Sequence, residues 1–385
     1  MKTQTLLITQ QTPQGSLNRK AGKALSLLIN AARIGEVGGL RSFVEALAEC
    51  LGNASNVECV VPKGICLRSG IAQRDTPVWG ASSSKVSGVR ALLWWLYSAT
   101  MFPAHAGIKI LCSTHHVLPF RKNQVVTVHD IRPYFYPDNW VQWFNFHCLL
   151  PRALRNCDGI LTVSDETKKL MVSIYRLAPA SIYVVPNTVD SSFFHPAKQD
   201  ESGDVPYLLS VGSSWEHKNI AELLRMHKLW SQGYVLKIVA GEGRYLTFLK
   251  RLAVRMGIEN RVEFLSDIPG HRLRTLYQHC AALVYPSTME GFGLPPLEAM
   301  ACGRPVIVSD IALFRELYGS APIFVRLGEP DSWNQAFIDL ASISDERLRT
   351  GIVRARSYSQ ERMRQSLFSA LRQIWGESFV QEFDR

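Results

Sequence analysis

A chain of 385 residues with 46% apolar and 20% charged residues is too long for one ordinary core and too apolar for a disordered or fibrous protein. Two to three domains are expected at about this length. The formal charge of +10 admits nucleic acid, an anionic membrane surface or a phosphorylated substrate, and the lack of any RNA- or DNA-binding module signature removes nucleic acid.

From about residue 24, short apolar runs alternate with amphipathic stretches. ALSLLINA (24–31) leads through a glycine turn at Gly38 and Gly39 into the helical pattern LRSFVEALAE. Glycines there let a backbone approach a ligand closely, although an ordinary β–α turn accounts for them equally well. SSSKVSGVRALLWWLYSATMF (82–102) sets Lys85 and Arg90 beside an aromatic-aliphatic face. That composition is shared by an interfacial helix and a buried one. KILC (109–112), QVVTVHD (124–130), GILTVS (159–164) and SIYVVP (181–186) read as strands, and the second of them ends on His129 and Asp130. HPAKQDESGDVP (195–206) breaks the alternation and reads as a linker between a unit 1–194 and a unit 207–358. YLLSVG (207–212) then runs into VGSSWEHKNI, which puts His217 and Lys218 where a strand turns into a helix. VLKIVAG (235–241), RVEFLS (261–266), ALVYPS (282–287), PVIVS (305–309) and PIFVR (322–326) complete the strands, and SQERMRQSLFSALRQIWGESF (359–379) has helical spacing. Continuous apolar strands separated by helices imply parallel sheets covered on both faces, with ligands beyond the carboxyl ends of the strands.

The most informative segment is EGFGLPPLEAMACGRPVIVSD (290–310). Pro295 and Pro296 suit a first helical turn and Gly303 suits the residue just beyond a helix end. The loop Gly291, Phe292, Gly293, Leu294 therefore offers free N–H groups and the positive end of a helix dipole to an anion. Glu290 and Glu298 flank it, and ionised carboxylates accept hydrogen bonds from sugar and ribose hydroxyls.

This segment resembles the Glu-x7-Glu signature of the family 4 retaining glycosyltransferases. The resemblance implies the α/β GT-B fold, two Rossmann-like domains with parallel sheets facing a central cleft. It gives Glu290 to the transferred sugar, Glu298 to the ribose hydroxyls, and the backbone of Gly291, Phe292, Gly293 and Leu294 to the sugar and diphosphate. Lys218 matches the lysine that neutralises the donor diphosphate, whereas His217 stands where an arginine is common. A histidine is largely neutral at pH 7 and cannot form a guanidinium fork. His129 matches a cleft histidine near the reacting centre, and Gly38 and Gly39 would approach the donor phosphates. Residues 359–385 would form a helix crossing back to the first domain.

The implied activity is retaining transfer of a hexose from a nucleotide-diphosphate sugar, with no other cofactor. GDP-mannose is the expected donor, with a UDP-sugar as the alternative, and the expected acceptor is a growing glycan, on its own or linked to a polyprenyl diphosphate. A GT-B-shaped nucleotide-sugar 2-epimerase and a non-catalytic binding partner are the remaining readings. No Asp-x-Asp pair occurs and His115 and His116 lack a carboxylate cluster, so no metal is expected. The eight cysteines are scattered without a C-x-x-C pair, as in a reducing, cytoplasmic setting. Neither a signal peptide nor an apolar run near the roughly 18 residues of a spanning helix is evident, so any membrane association is expected to be peripheral. Residues 1–20 match nothing in the family pattern.

Overall fold

The computed structural model describes residues 26–35, 38–52, 54–76, 97, 102, 107–118, 121–197 and 205–383. The segment 1–20, most of the proposed linker and the basic-aromatic stretch 82–102, apart from Tyr97 and Phe102, lie outside the described residues.

The first sheet holds β1 (Leu27–Asn30), β2 (Val57–Pro62), β3 (Ala72–Thr76), β4 (Lys109–Cys112), β5 (Gln124–Val128), β6 (Gly159–Thr162) and β7 (Ile182–Val184). Their spatial order is β3-β2-β1-β4-β5-β6-β7, and every neighbouring pair is parallel. The second sheet holds β8 (Tyr207–Val211), β9 (Val235–Val239), β10 (Val262–Leu265), β11 (Ala282–Tyr285), β12 (Val306–Ser309) and β13 (Ile323–Val325), in the order β10-β9-β8-β11-β12-β13, again all parallel. Strands β1, β5, β6, β8, β11 and β12 are buried along their whole length. That explains why they read as continuous apolar runs rather than alternating ones. β2 and β3 add two strands that the apolar pattern does not announce. Glu58 in β2 is paired with Arg74 in β3 at 2.7 Å, so a charged pair occupies positions where an apolar run would otherwise signal a strand.

Strand order reverses between β1 and β4 in one sheet and between β8 and β11 in the other. A crevice opens at the carboxyl ends of the strands at such a switch point. The Gly38–Gly39 turn and Ser113 to His116 follow the first pair, and Lys218 and Glu290 follow the second.

Several contacts tie the two sheets' units together. The helix Gln360–Trp375 lies on the helix Gly39–Leu51, with the Gln360 amide donating to the Ala46 carbonyl at 2.6 Å and Arg364 to the Cys50 carbonyl at 3.2 Å. The Trp375 indole donates to Asp158 at 2.7 Å. Across the cleft, the Glu316 carboxylate accepts from the amides of Asp165 and Glu166 at 2.8 and 2.7 Å, capping the helix Asp165–Tyr175 from the other unit. Two otherwise unmade helix N–H groups and the helix dipole are satisfied by this one side chain. Glu316→Ala is therefore expected to destabilise the chain by about 1–2 kcal/mol, and Glu316→Gln by less. Urea denaturation checks this; equal midpoints for all three proteins would refute the cap's contribution.

Candidate active site

Lys218 is held by the geometry of the loop after β8. Gly212 turns the chain out of the strand with φ +74, and Asn219 adopts a left-handed conformation (φ 54) between the short turn Glu216–Lys218 and the helix Ile220–Arg225. The Asn219 amide donates to Glu222 Oε2 at 2.7 Å, while Glu222 Oε1 accepts from the Gly328 amide at 2.7 Å and the Trp333 indole at 2.8 Å. So anchored, Lys218 Nζ donates to Glu290 Oε1 and to the Tyr285 hydroxyl, both at 2.6 Å. The lysine and glutamate side chains are only 13% and 11% exposed. Burial pushes the Glu290 carboxyl up, but the Lys218 charge and hydrogen bond hold it below its usual value.

Glu298 lies on the helix Leu294–Ala301, which has the two prolines in its first turn and Gly303 beyond its end with φ +72. Its Oε2 accepts from the Tyr277 hydroxyl at 2.7 Å. Burial with no cation beside it pushes the Glu298 carboxyl up to about 7, against the lowering effect of that hydrogen bond. The two glutamates thus differ in charge state, and the difference traces to Lys218.

The loop between them is fixed through its carbonyls. Ser164 Oγ donates to the Gly291 carbonyl at 3.0 Å, and the Tyr318 hydroxyl donates to the Gly293 carbonyl at 2.7 Å. The amides of Gly291, Phe292, Gly293 and Leu294 donate to no described group. A Cβ at Gly291 would collide with the His129 carbonyl oxygen, so only glycine permits this approach of the loop to the end of β5. The Phe292 side chain points away, 4% exposed and edge-on to Tyr358 at 5.3 Å, leaving only its backbone for the cleft. Gly38 needs its glycine for φ +112, and Gly39 faces Leu294 Cδ1 across the cleft, 3.7 Å from where its Cβ would be.

His129 Nε2 lies 2.9 Å from the Ser113 carbonyl. A carbonyl only accepts, so that nitrogen carries the proton, and burial keeps the ring below its ordinary pKa and neutral. Nδ1 is then left as an acceptor, while Phe43 packs edge-on against the ring at 4.6 Å. Asp130 accepts from the Arg132 amide at 2.9 Å, which is a turn-forming contact.

His217 is pushed down to about 4 by burial, so it brings no charge at neutral pH. Its carbonyl accepts from the Thr288 amide at 2.8 Å and so joins the loops after β8 and β11. The missing cation has a candidate source that the sequence did not single out. The Arg132 guanidinium lies 5.6 Å over the Trp215 ring, two residues before His217, and acts electrostatically on that histidine. Tyr285, in the apolar run ALVY, and Tyr277, on the helix Gly270–His279, were likewise missed, because a buried tyrosine reads as core until its hydroxyl partner is seen. Arg33 and the ring pair His115–His116, 4.4 Å apart, follow β1 and β4, and His115 feels both Arg33 and His129 electrostatically.

Structural comparison shows the same architecture in HepE of Anabaena, described in complex with UDP and glucose, with a TM-score of 0.73 at 15% identity over 90% of this chain and 99% of that one. The fold is GT-B, and two family models define the chain as a glycosyltransferase. The Glycosyltransferase Family 4 model matches residues 37–193 and the Glycosyl transferases group 1 model matches residues 191–353. The O-antigen chain mannosyltransferase RfbU of Salmonella typhimurium is 34% identical over 83% of this chain and 92% of its own length. The O-antigen chain mannosyltransferase B of Escherichia coli is 30% identical over 63% and 69%. The chain belongs to the family 4, group 1 glycosyltransferases.

The raised Glu298 carboxyl has a pH consequence. A folded-state pKa above the unfolded value means that its contribution to stability is present below about 4.5 and is lost as pH rises towards about 7. Glu298→Gln, which keeps an acceptor for Tyr277, is expected to gain melting temperature relative to the parent between pH 5 and 8. A pH-independent difference in melting temperature would count against the raised carboxyl.

Proposed function

We propose that the chain transfers mannose from GDP-mannose, with retention of configuration and without a metal ion, to a growing glycan carried on a polyprenyl diphosphate at the cytoplasmic membrane face. The observation that carries this reading is the buried Lys218–Glu290–Tyr285 group set against a loop of four undonated amides. The mannose assignment is supported by the two O-antigen relatives, which are named mannosyltransferases.

In this reading Lys218 moves from Glu290 to the donor diphosphate, and the freed Glu290 carboxylate accepts from the sugar hydroxyls. The C1–O bond breaks and its electron pair leaves with the nucleoside diphosphate, whose growing charge meets Lys218, Arg132 and the loop amides. The acceptor oxygen attacks C1 on the same face and its proton passes to the departing phosphate oxygen. Neutral His129 offers Nδ1 to a sugar hydroxyl, and Glu298 takes the ribose hydroxyls, which its carboxylate form does best.

The first test is a thermal-shift screen, in which a ligand confined to the folded state raises the melting temperature. GDP and GDP-mannose are expected to stabilise the chain more than UDP and UDP-glucose, and EDTA to leave turnover unchanged. The reverse order of nucleotides would transfer the donor assignment to UDP-sugars. Lys218→Ala strands the Glu290 charge at a folding cost of about 3–5 kcal/mol, so Lys218→Met/Glu290→Gln serves as the folded control. That double variant is expected to lose kcat by on the order of 100- to 1000-fold. Near-parent turnover would remove both residues from the chemistry.

A further inference from the structure

The segment between Arg132 and Leu154 carries large apolar side chains both in the core and on the surface. Phe146, Leu150 and Leu154, at helical spacing, are at most 2% exposed and sit in the core of the first sheet's unit. Trp140, Trp143 and Phe144 recur at the same spacing on another side and are 76%, 47% and 43% exposed. Phe135, Tyr136 and Leu149, at 45%, 50% and 51%, widen this bare surface. A cluster of large exposed apolar side chains marks an interaction surface, to be covered by protein or by lipid.

The patch is also stiff. Trp143 and Tyr134 stack on either side of His147 at 4.7 and 4.0 Å, and His147 Nδ1 bonds the Trp143 carbonyl at 2.8 Å. Its charges are one-sided: Arg152 and Arg155 are exposed at its far end, and the sole acid from 131 to 157, Asp138, is engaged by Arg132 at 3.9 Å. Trp and Tyr rings backed by arginine are the chemistry of a bilayer interface, where amphipathic rings sit among headgroups and cations meet anionic lipid. No helix among the described residues is long and apolar enough to cross a membrane, so such a surface would lie on the bilayer.

We infer that the face formed by Phe135, Tyr136, Trp140, Trp143, Phe144 and Leu149 docks on an anionic phospholipid bilayer. Arg132 links this face to Trp215 at the mouth of the cleft, so docking brings the site to the membrane surface. The inference rests on the reading that the acceptor is lipid-borne, and it names the surface that meets the lipid.

The test is flotation of the full chain with phosphatidylcholine vesicles, with and without phosphatidylglycerol, for the parent and Trp140→Ser/Trp143→Ser. The parent is expected to float with the anionic vesicles and to be released by salt. The double variant is expected to bind on the order of tenfold more weakly or worse, with its melting temperature and nucleotide-induced shift unchanged. Equal flotation of the two proteins would overturn the assignment. So would a parent that ignores vesicles and self-associates in solution while the double variant stays monomeric, since the face would then cover a second copy. A nucleotide shift without flotation sinks the docking face alone, whereas flotation without any nucleotide shift sinks the donor reading alone.

Discussion

The contact between Lys218 and Glu290 organises the loops after β8 and β11. Two opposite charges taken out of water repay their desolvation only when the geometry is good and the remaining polar atoms are satisfied. Here the lysine has a second acceptor in Tyr285, and the Thr288 amide and hydroxyl both bond the His217 carbonyl, at 2.8 and 3.2 Å. The loops after β8 and β11 are thereby fastened to each other at the point where the strand order reverses. A lysine held this way is already dehydrated and aimed. In the proposed reading, a diphosphate would replace the carboxylate without a new desolvation cost for the cation.

The second constraint runs across the cleft. Gly291 meets the backbone of His129, Ser164 bonds the Gly291 carbonyl, and Glu316 caps a helix of the opposite unit. All three contacts grip the segment that carries the loop amides or an element beside it. Opening the two units would have to break a helix cap and a backbone contact together. The placement of Glu290 is therefore coupled to the relation between the sheets and to the position of His129.

Most of the fold was legible because parallel strands buried on both faces leave uninterrupted apolar runs. β2 and β3 were not, since Glu58 and Arg74 satisfy each other only once the strands are paired, and neither residue reveals this alone. In the site, Glu290, Glu298 and the glycine loop stood out because prolines, glycines and acids at fixed spacing have few other uses. The residues that tune them did not. Tyr277 is 21 positions from Glu298 and Glu316 is 151 positions from Asp165. Such distances carry no periodicity, so only the fold brings these partners together. Phe292 shows the opposite failure: it belongs to the motif, yet its ring serves the core.

The neutrality of His217 links the chemistry to the surface. With burial holding that ring uncharged, the loop after β8 contributes one charged side chain, Lys218, where the resemblance led to the expectation of a basic pair, and in the proposed reading further positive charge comes from the facing unit. Arg132 is placed for this, two residues beyond Asp130 at the end of β5 and over Trp215. The same arginine pairs with Asp138, just ahead of Trp140 on the aromatic face. A shift of that face on a bilayer would therefore be felt by a cation near the diphosphate site. If the proposed donor site and docking face hold, charge for the leaving group and contact with lipid would be carried by one short segment, which would be a physical reason for placing bulky aromatics near Trp215 rather than on a remote helix.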